Sequence, residues 1–285
     1  MALIALASAL IWIPRDPPQQ APRNAREVIS RIDLTGIIGF AVAMTALLAF
    51  LFSIPKPNWI MLAATLVLFV ALTLWELRAK YPFVDGRLLV RNGALTRTYL
   101  RYALVALCVY IVLYGITQWL EAGRGMSALG AGLLLLPTSV ISGVVVAPIS
   151  RRNLVRGPVI VGALASLVGS AGVLFLTSDT KIVWIVLITL LFGVALGTTA
   201  NGNQIALYIQ APPEQLGVAS GLFRTFGYVG SIAASAITGI VFHTSVSDSG
   251  VHLIGLIMIG VSIVAVALSV LDRKLRGPGR PTSQP

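Results

Sequence analysis

The chain has 285 residues, of which 56% are hydrophobic and only 11% charged, with a mean hydropathy of +0.89. Soluble domains carry roughly 25% charged residues, so a water-exposed fold is excluded and a bilayer is needed to accept this much apolar surface. The net charge of +11 sits in short loops between apolar runs, with no basic stripe interleaved with aromatics. That excludes a nucleic-acid surface and makes anionic lipid headgroups the partner of the basic residues.

In chain order, the first apolar run is "MALIALASALIWI", residues 1–13. At 1.5 Å per residue it spans about 20 Å, short of the ~30 Å hydrocarbon core. No Lys or Arg precedes it, which argues against a signal peptide. It reads as a partial transmembrane helix whose beginning is missing. Residues 14–33 are polar and Pro-rich and read as a cytoplasmic linker. Runs 34–54 and 59–75 are joined only by "PKPN" and form a two-helix hairpin. Residues 76–101 make the longest loop, in which "FVDGRLLVRN" is apolar enough to lie on the membrane as an interfacial helix. Six further runs follow, at 102–120, 129–149, 157–177, 182–209, 218–242 and 253–271, as a six-helix block over 102–271. The tail 272–285 is basic and reads as disordered. The expected fold is an all-α integral membrane protein, a polytopic bundle of about eight full transmembrane helices plus the truncated first one.

Lys and Arg set the orientation: alternate loops hold 17 against 3, with Arg224 inside a run. The positive-inside rule then puts 14–33, 76–101, 150–156, 210–217 and the C-terminal tail in the cytoplasm of a multi-pass cell-membrane protein. All five tryptophans, Trp12, Trp59, Trp75, Trp119 and Trp184, fall at run ends, where an amphipathic ring rests among headgroups.

Catalytic patterns are missing: the chain has no H-E-x-x-H, G-x-S-x-G, P-loop or G-x-G-x-x-G, so it does not read as an enzyme, and neither a cofactor nor a metal is expected. His243 and His252, nine positions apart in one external loop, read as exposed and unpaired. Cys108 is the single cysteine and reads as a small core residue.

The apolar stretch "GVALGTTANGNQIAL" (193–207) carries Thr198, Thr199, Asn201, Asn203 and Gln204. Unpartnered polar groups in lipid are costly, so these either bond neighbouring helices or line a cavity. Asn203 lies one turn from Thr199, so that pair can also satisfy itself. Small residues recur at helical spacing in Gly193 and Gly197, in Gly217 and Gly221, and in Ser231, Ser235 and Gly239. Such stripes let helices approach closely. Arg224, seven positions after Gly217, lies roughly 10 Å into its helix. It either snorkels to the headgroups or faces a cavity or a carboxylate.

Three stretches carry a resemblance. "GITQWLEAGRGMSALGAGLLLLP" (115–137) resembles the signature Q-[YF]-L-Q-x-x-x-G-x-[ST]-A-x-x-A-G-x-x-x-L-P. "APPEQLGVASGLFRTFGYVGS" (211–231) resembles P-x-x-x-x-G-x-A-S-G-L-x-x-T-x-x-x-x-G, and "YPFVDGRLLVRN" (81–92) resembles P-L-x-D-x-x-L-x-[KR]-N. Together they are similar to the fourteen-helix drug:proton antiporter branch (EmrB/QacA type) of the major facilitator superfamily. The resemblance implies a partial fold of that kind, in which the nine runs match helices six to fourteen. It further implies a proton-coupled multidrug efflux transporter exporting small amphipathic substrates between two six-helix halves. The missing N-terminal half would lie in the same or another chain. The alternative is a truncated or split half-transporter, or a membrane scaffold, with no transport alone. Tyr114, Gln118, Thr199, Asn201, Asn203, Gln204 and Arg224 are the cavity candidates. The family's usual Arg after "ASGL" aligns with Gly227, and Arg224 stands three positions earlier.

Overall fold

The computed structural model describes residues 33–53, 56–79, 92–152 and 154–272. The opening run, nearly all of the first linker, "FVDGRLLVR" (83–91) and the tail beyond Asp272 lie outside the described residues. Among the described residues the chain forms eight α-helices. These are α1 (Leu34–Phe52), α2 (Trp59–Arg78), α3 (Gly93–Ile111), α4 (Ala128–Arg152), α5 (Arg156–Leu174), α6 (Ile182–Gln210), α7 (Leu216–Val241) and α8 (Asp248–Leu271). Two π-helical turns, Val112–Ile116 and Trp119–Gly123, prolong α3.

Seven of these segments are long and apolar enough to cross a membrane. The remaining helix, α7, is 26 residues long, but Gly, Ser, Thr and Arg224 dilute its apolar content. In hydrocarbon the backbone has no water to bond, so an apolar run closes its own hydrogen bonds as a helix. Polar residues at the boundaries set the starts. Asp33, Asn58, Asn92 and Ser247 each accept a first-turn amide, capping α1, α2, α3 and α8.

The Asn92 cap makes one boundary differ from the hydropathy reading. α3 begins at Gly93 rather than at Tyr102, so Arg97 and Arg101, counted as loop charges, lie inside a helix. The main apolar core cluster joins α3, α5, α6 and α8 around Val109, Ile116, Phe192, Ile254 and Met258, and a smaller one joins α3, α6 and α7 around Tyr99, Leu207 and Leu222. Around that core α3 packs on α7, α4 on α6, and α5 on both α6 and α8, while α1 and α2 pack mainly on each other. Close approach explains the first glycine stripe. A Cβ on Gly193 would meet the Thr138 carbonyl oxygen at 2.6 Å, and one on Gly197 the Ser142 carbonyl oxygen at 2.5 Å. Only a bare backbone lets α6 lie this near α4.

The six helices α3–α8 alternate in direction. Asn92, Gln210 and Asp272 meet at one end of the block, through Asn92 Nδ2 to the Gln210 carbonyl and Arg101 to Asp272. Trp119, Ser178 and Asp248 meet at the other, where Asp248 accepts from Trp119 Nε1 at 2.9 Å and from the Ser178 amide at 2.8 Å. Trp119 thus corrects its expected place in a headgroup belt. It is fully buried because Asp248 gives its indole N–H a partner inside the protein, whereas Trp59, Trp75 and Trp184 stay exposed. The histidines are corrected in part: His243 is exposed as expected and His252 half-buried, but each bonds a carbonyl oxygen at 2.8 Å, those of Ile240 and Leu176.

Candidate functional site

Exposed helix faces in this molecule are of two kinds. On α1, α2 and α4 they carry Leu34, Ile38, Ile60, Val67, Leu133 and Val140, side chains suited to lipid. On α7 the exposed residues are mostly of another character: beside Val218 and Ile240 stand Gly217, Gly221, Arg224 and Tyr228, spaced three or four apart, and, two turns on, Ser235 and Gly239. A hydrocarbon solvent gives such a face nothing to bond. Gly217, Gly221 and Gly239 were expected at helix contacts, but a Cβ on any of them would meet nothing within 4 Å. They face open space because this stripe points away from the bundle, although α1 leans on its far part, leaving a cavity of about 170 Å³ beside Leu48, Leu51 and Ser235.

Beside this stripe α3 contributes tyrosines. The Tyr102 ring stacks on Phe223 with centroids 4.1 Å apart. A Cβ on Gly227 would meet Tyr102 Cε1 at 2.6 Å, so Tyr102 occupies the room that a side chain at 227 would need. The Tyr114 and Ser231 hydroxyls bond at 3.0 Å, and the Tyr110 and Tyr114 rings lie 5.6 Å apart. Tyr102 is an electrostatic neighbour of Tyr110, Arg224 and Tyr228. Gln118, one turn beyond Tyr114, is exposed. Arg224 is exposed too and forms no ion pair with any acid among the described residues.

The structure therefore brings Tyr114, Gln118, Ser231 and Arg224 onto one wall and adds Tyr102, Tyr110 and Tyr228. Reading the sequence missed these three. Their spacing gave no signal: at 3.6 residues per turn, positions 102 and 110 do not fall on one line of the helix, and Tyr228 stands alone in its run.

The α6 cluster resolves differently: Asn201 and Asn203 bond other helices, and Thr198 and Gln204 bond within α6. Asn203 is fully buried; its Nδ2 donates to the Thr199 carbonyl at 2.9 Å, and its Oδ1 accepts from Arg101 Nε at 3.1 Å. Asn201 bonds Ser150 on α4, with Nδ2 donating to Oγ at 3.1 Å. Gln204 donates to Tyr208 one turn on. The hydroxyls of Thr198 and Thr199 lie against Gly162 of α5, and Thr199 Oγ1, buried, has no partner among the described residues. None of these groups lies on the α3–α7 wall.

Sequence reasoning also missed a buried charge bonded to three partners. Arg101 is fully buried, and its guanidinium donates to Asp272 Oδ2 at 2.7 Å, Asn203 Oδ1 at 3.1 Å and Thr98 Oγ1 at 2.9 Å. Arg97 reaches the other Asp272 oxygen at 3.0 Å. Thr98 in turn donates to Gln210 Oε1, so α3, α6 and the end of α8 share one network. Burial pushes the Asp272 carboxyl up, but hydrogen bonds from Arg97 and Arg101 and their charges outweigh it and hold it below the usual carboxylate range. The sequence shows the two arginines one helical turn apart at 97 and 101, but not that Asp272 stands opposite them.

Comparison with known proteins bears on the whole arrangement. Residues 1–235 match the model of the Major Facilitator Superfamily. The chain is 28% identical over 262 residues to the uncharacterised MFS-type transporter YwoD of Bacillus subtilis, covering 90% of this chain and 57% of that protein. It is 28% identical over 258 residues to the tetracenomycin C resistance and export protein of Streptomyces glaucescens, covering 87% of this chain and 46% of that one. It is 27% identical over 232 residues to the multidrug resistance protein Stp of Mycobacterium tuberculosis, covering 76% and 42%. The chain spans about half the length of the curated relatives it matches. An all-helical, membrane-crossing bundle and a family match over most of its length lead to one conclusion: the chain belongs to the Major Facilitator Superfamily, a family of transporters.

Proposed function

We propose that this chain supplies the C-terminal part of a proton-coupled exporter of small amphipathic molecules, of the fourteen-helix branch. A second six-helix block, in the same or another chain, completes it. The supporting observation is the exposed wall of α3 and α7, which is polar and aromatic where a lipid-facing surface is aliphatic. A second block facing this wall encloses a cavity at mid-membrane, and rocking of the two blocks gives alternating access. Glycines with open space in front of them let that block approach closely. The export and resistance functions named for two of the relatives agree with this reading. The charge count supports a cytoplasmic Asn92–Gln210–Asp272 end and, with it, a C-terminus inside.

The test is dye efflux from energised cells, comparing residues 1–285 with a chain extended by the coding sequence upstream. The extended chain is expected to export dye in a proton-dependent way and the short one not to, because one wall cannot alternate access. Robust efflux from residues 1–285 alone refutes the need for a second block. An extended chain that inserts but exports no dye refutes the exporter reading.

A further inference from the structure

The charge on the α3–α7 wall has one sign. Arg224 is exposed on it without an acidic partner, and no Asp or Glu occurs anywhere in 93–120 or 216–241. The acids described in the six-helix block, including Glu121, Asp179, Asp248 and Asp272, all lie at helix ends or in loops. The other two arginines of α3, Arg97 and Arg101, are already committed to Asp272. Arg224, eight positions after Leu216 and so about 12 Å along its helix, is an exposed cation with no acid on its own wall, free to pair with an anion that arrives.

Around Arg224 the wall offers flat rings and hydroxyl donors. Tyr102 stacks on Phe223, next to Arg224 in the chain, and lies against Gly227 one turn on, close enough for the charges of Arg224, Tyr110 and Tyr228 to act on it. Phenol O–H groups donate to an anion, and ring faces stack on a planar ligand. A guanidinium fork matches a carboxylate or sulfonate in two parallel bonds. A lipophilic cation finds the reverse, since it meets a like charge and no carboxylate to neutralise it.

We infer that the wall selects planar aromatic anions over aromatic cations, with Arg224 as the charge-selecting residue and Tyr102, Tyr110 and Tyr228 as the stacking surface. This inference rests on the exporter reading and specifies the substrate class that its cavity admits.

The experiment uses two xanthene dyes of similar shape and opposite charge, fluorescein and rhodamine 6G. Each is titrated at neutral pH against residues 1–285 in lipid nanodiscs, with empty nanodiscs subtracted. Fluorescein is expected to bind at least about tenfold more tightly than rhodamine 6G, the worth of one charge-assisted bond. Arg224→Gln is expected to lose about that factor for fluorescein and to leave rhodamine 6G unchanged or improved. Arg224→Lys, which keeps the charge without the fork, falls between. Tyr228→Ala weakens fluorescein without altering the helical circular dichroism, which excludes a folding defect. Rhodamine 6G binding as well as or better than fluorescein overturns the charge selection while leaving the exporter reading standing. So does fluorescein binding that Arg224→Gln does not change, which returns Arg224 to the headgroups. Specific binding of neither dye overturns both the selection and the wall as a substrate surface.

Discussion

Asp272→Asn isolates the charge in the Arg101 network while keeping the shape. In the native protein Asp272 is 2% exposed and Arg101 fully buried, their closest atoms 2.7 Å apart. The remaining Arg101 partners, Asn203 and Thr98, are neutral, so the substitution leaves a buried guanidinium without a counter-charge. Removing one member of a buried pair costs about 3–5 kcal/mol. The lower edge applies here, because Asn keeps an oxygen that accepts from Arg101, and Arg97, its side chain 36% exposed, relaxes into water. The expected loss is therefore about 3 kcal/mol, roughly a hundredfold in the unfolding equilibrium. Reversible unfolding in mixed detergent–SDS micelles, followed by circular dichroism, measures it. The double variant Arg101→Met, Asp272→Leu removes both charges and is expected to recover most of the loss. The pH dependence has a fixed sign. Because the folded carboxyl is held below its usual range, its contribution is present at neutral pH and vanishes as pH falls through that lowered value. The gap between native protein and Asp272→Asn must therefore close in strong acid. A loss below about 1 kcal/mol, a double variant no better than the single, or a gap that widens in acid refutes the reasoning.

Gly193→Ala and Gly197→Ala push a methyl group onto the α4 backbone and are each expected to cost about 1–3 kcal/mol in the same unfolding assay. Gly221→Ala, with nothing within 4 Å, is expected to stay within about 0.5 kcal/mol; equal losses at all three sites would contradict the packing described. For orientation, Arg91→Cys and Ser247→Cys are introduced singly into a Cys108→Ala background and treated with a membrane-impermeant thiol reagent on intact cells. Ser247→Cys is expected to label and Arg91→Cys not to; the reverse pattern inverts the topology. Unaltered chain is expected to resist labelling altogether, since Cys108, its single cysteine, is fully buried.

The membrane class and the succession of helices were legible because hydropathy is a property of the chain itself. Helix starts were less so, since a cap outweighs composition: Asn92 starts α3 nine residues before its apolar run begins. That shift concealed Arg101, which sequence alone places in a loop beside other basic residues. Its role is created by Asp272, 171 positions away, and no local pattern encodes such a pairing. The polar cluster of α6 was conspicuous, yet its function depended on what stood opposite. Asn201 and Asn203 found Ser150 and Arg101 and became bonds between helices. Arg224 and Tyr114 were identified as cavity candidates from sequence, whereas Tyr102, Tyr110 and Tyr228 needed the third dimension, because a tyrosine in an apolar run gives no sign of which side it faces.

The two aspartates bracketing α8 have a mechanical consequence. One joins it to α3 at Trp119, the other at Arg101, about 27 Å apart along α3. A helix fastened to its antiparallel neighbour at both ends cannot slide along it: a one-turn ratchet of about 5.4 Å would tear both attachments at once. Shear between these two helices is thereby closed off, and α3 is carried with α8 as a rigid rod. Motion of this pair in the membrane is left to tilting together, with the tyrosine wall of α3 swinging through the angle that α8 turns.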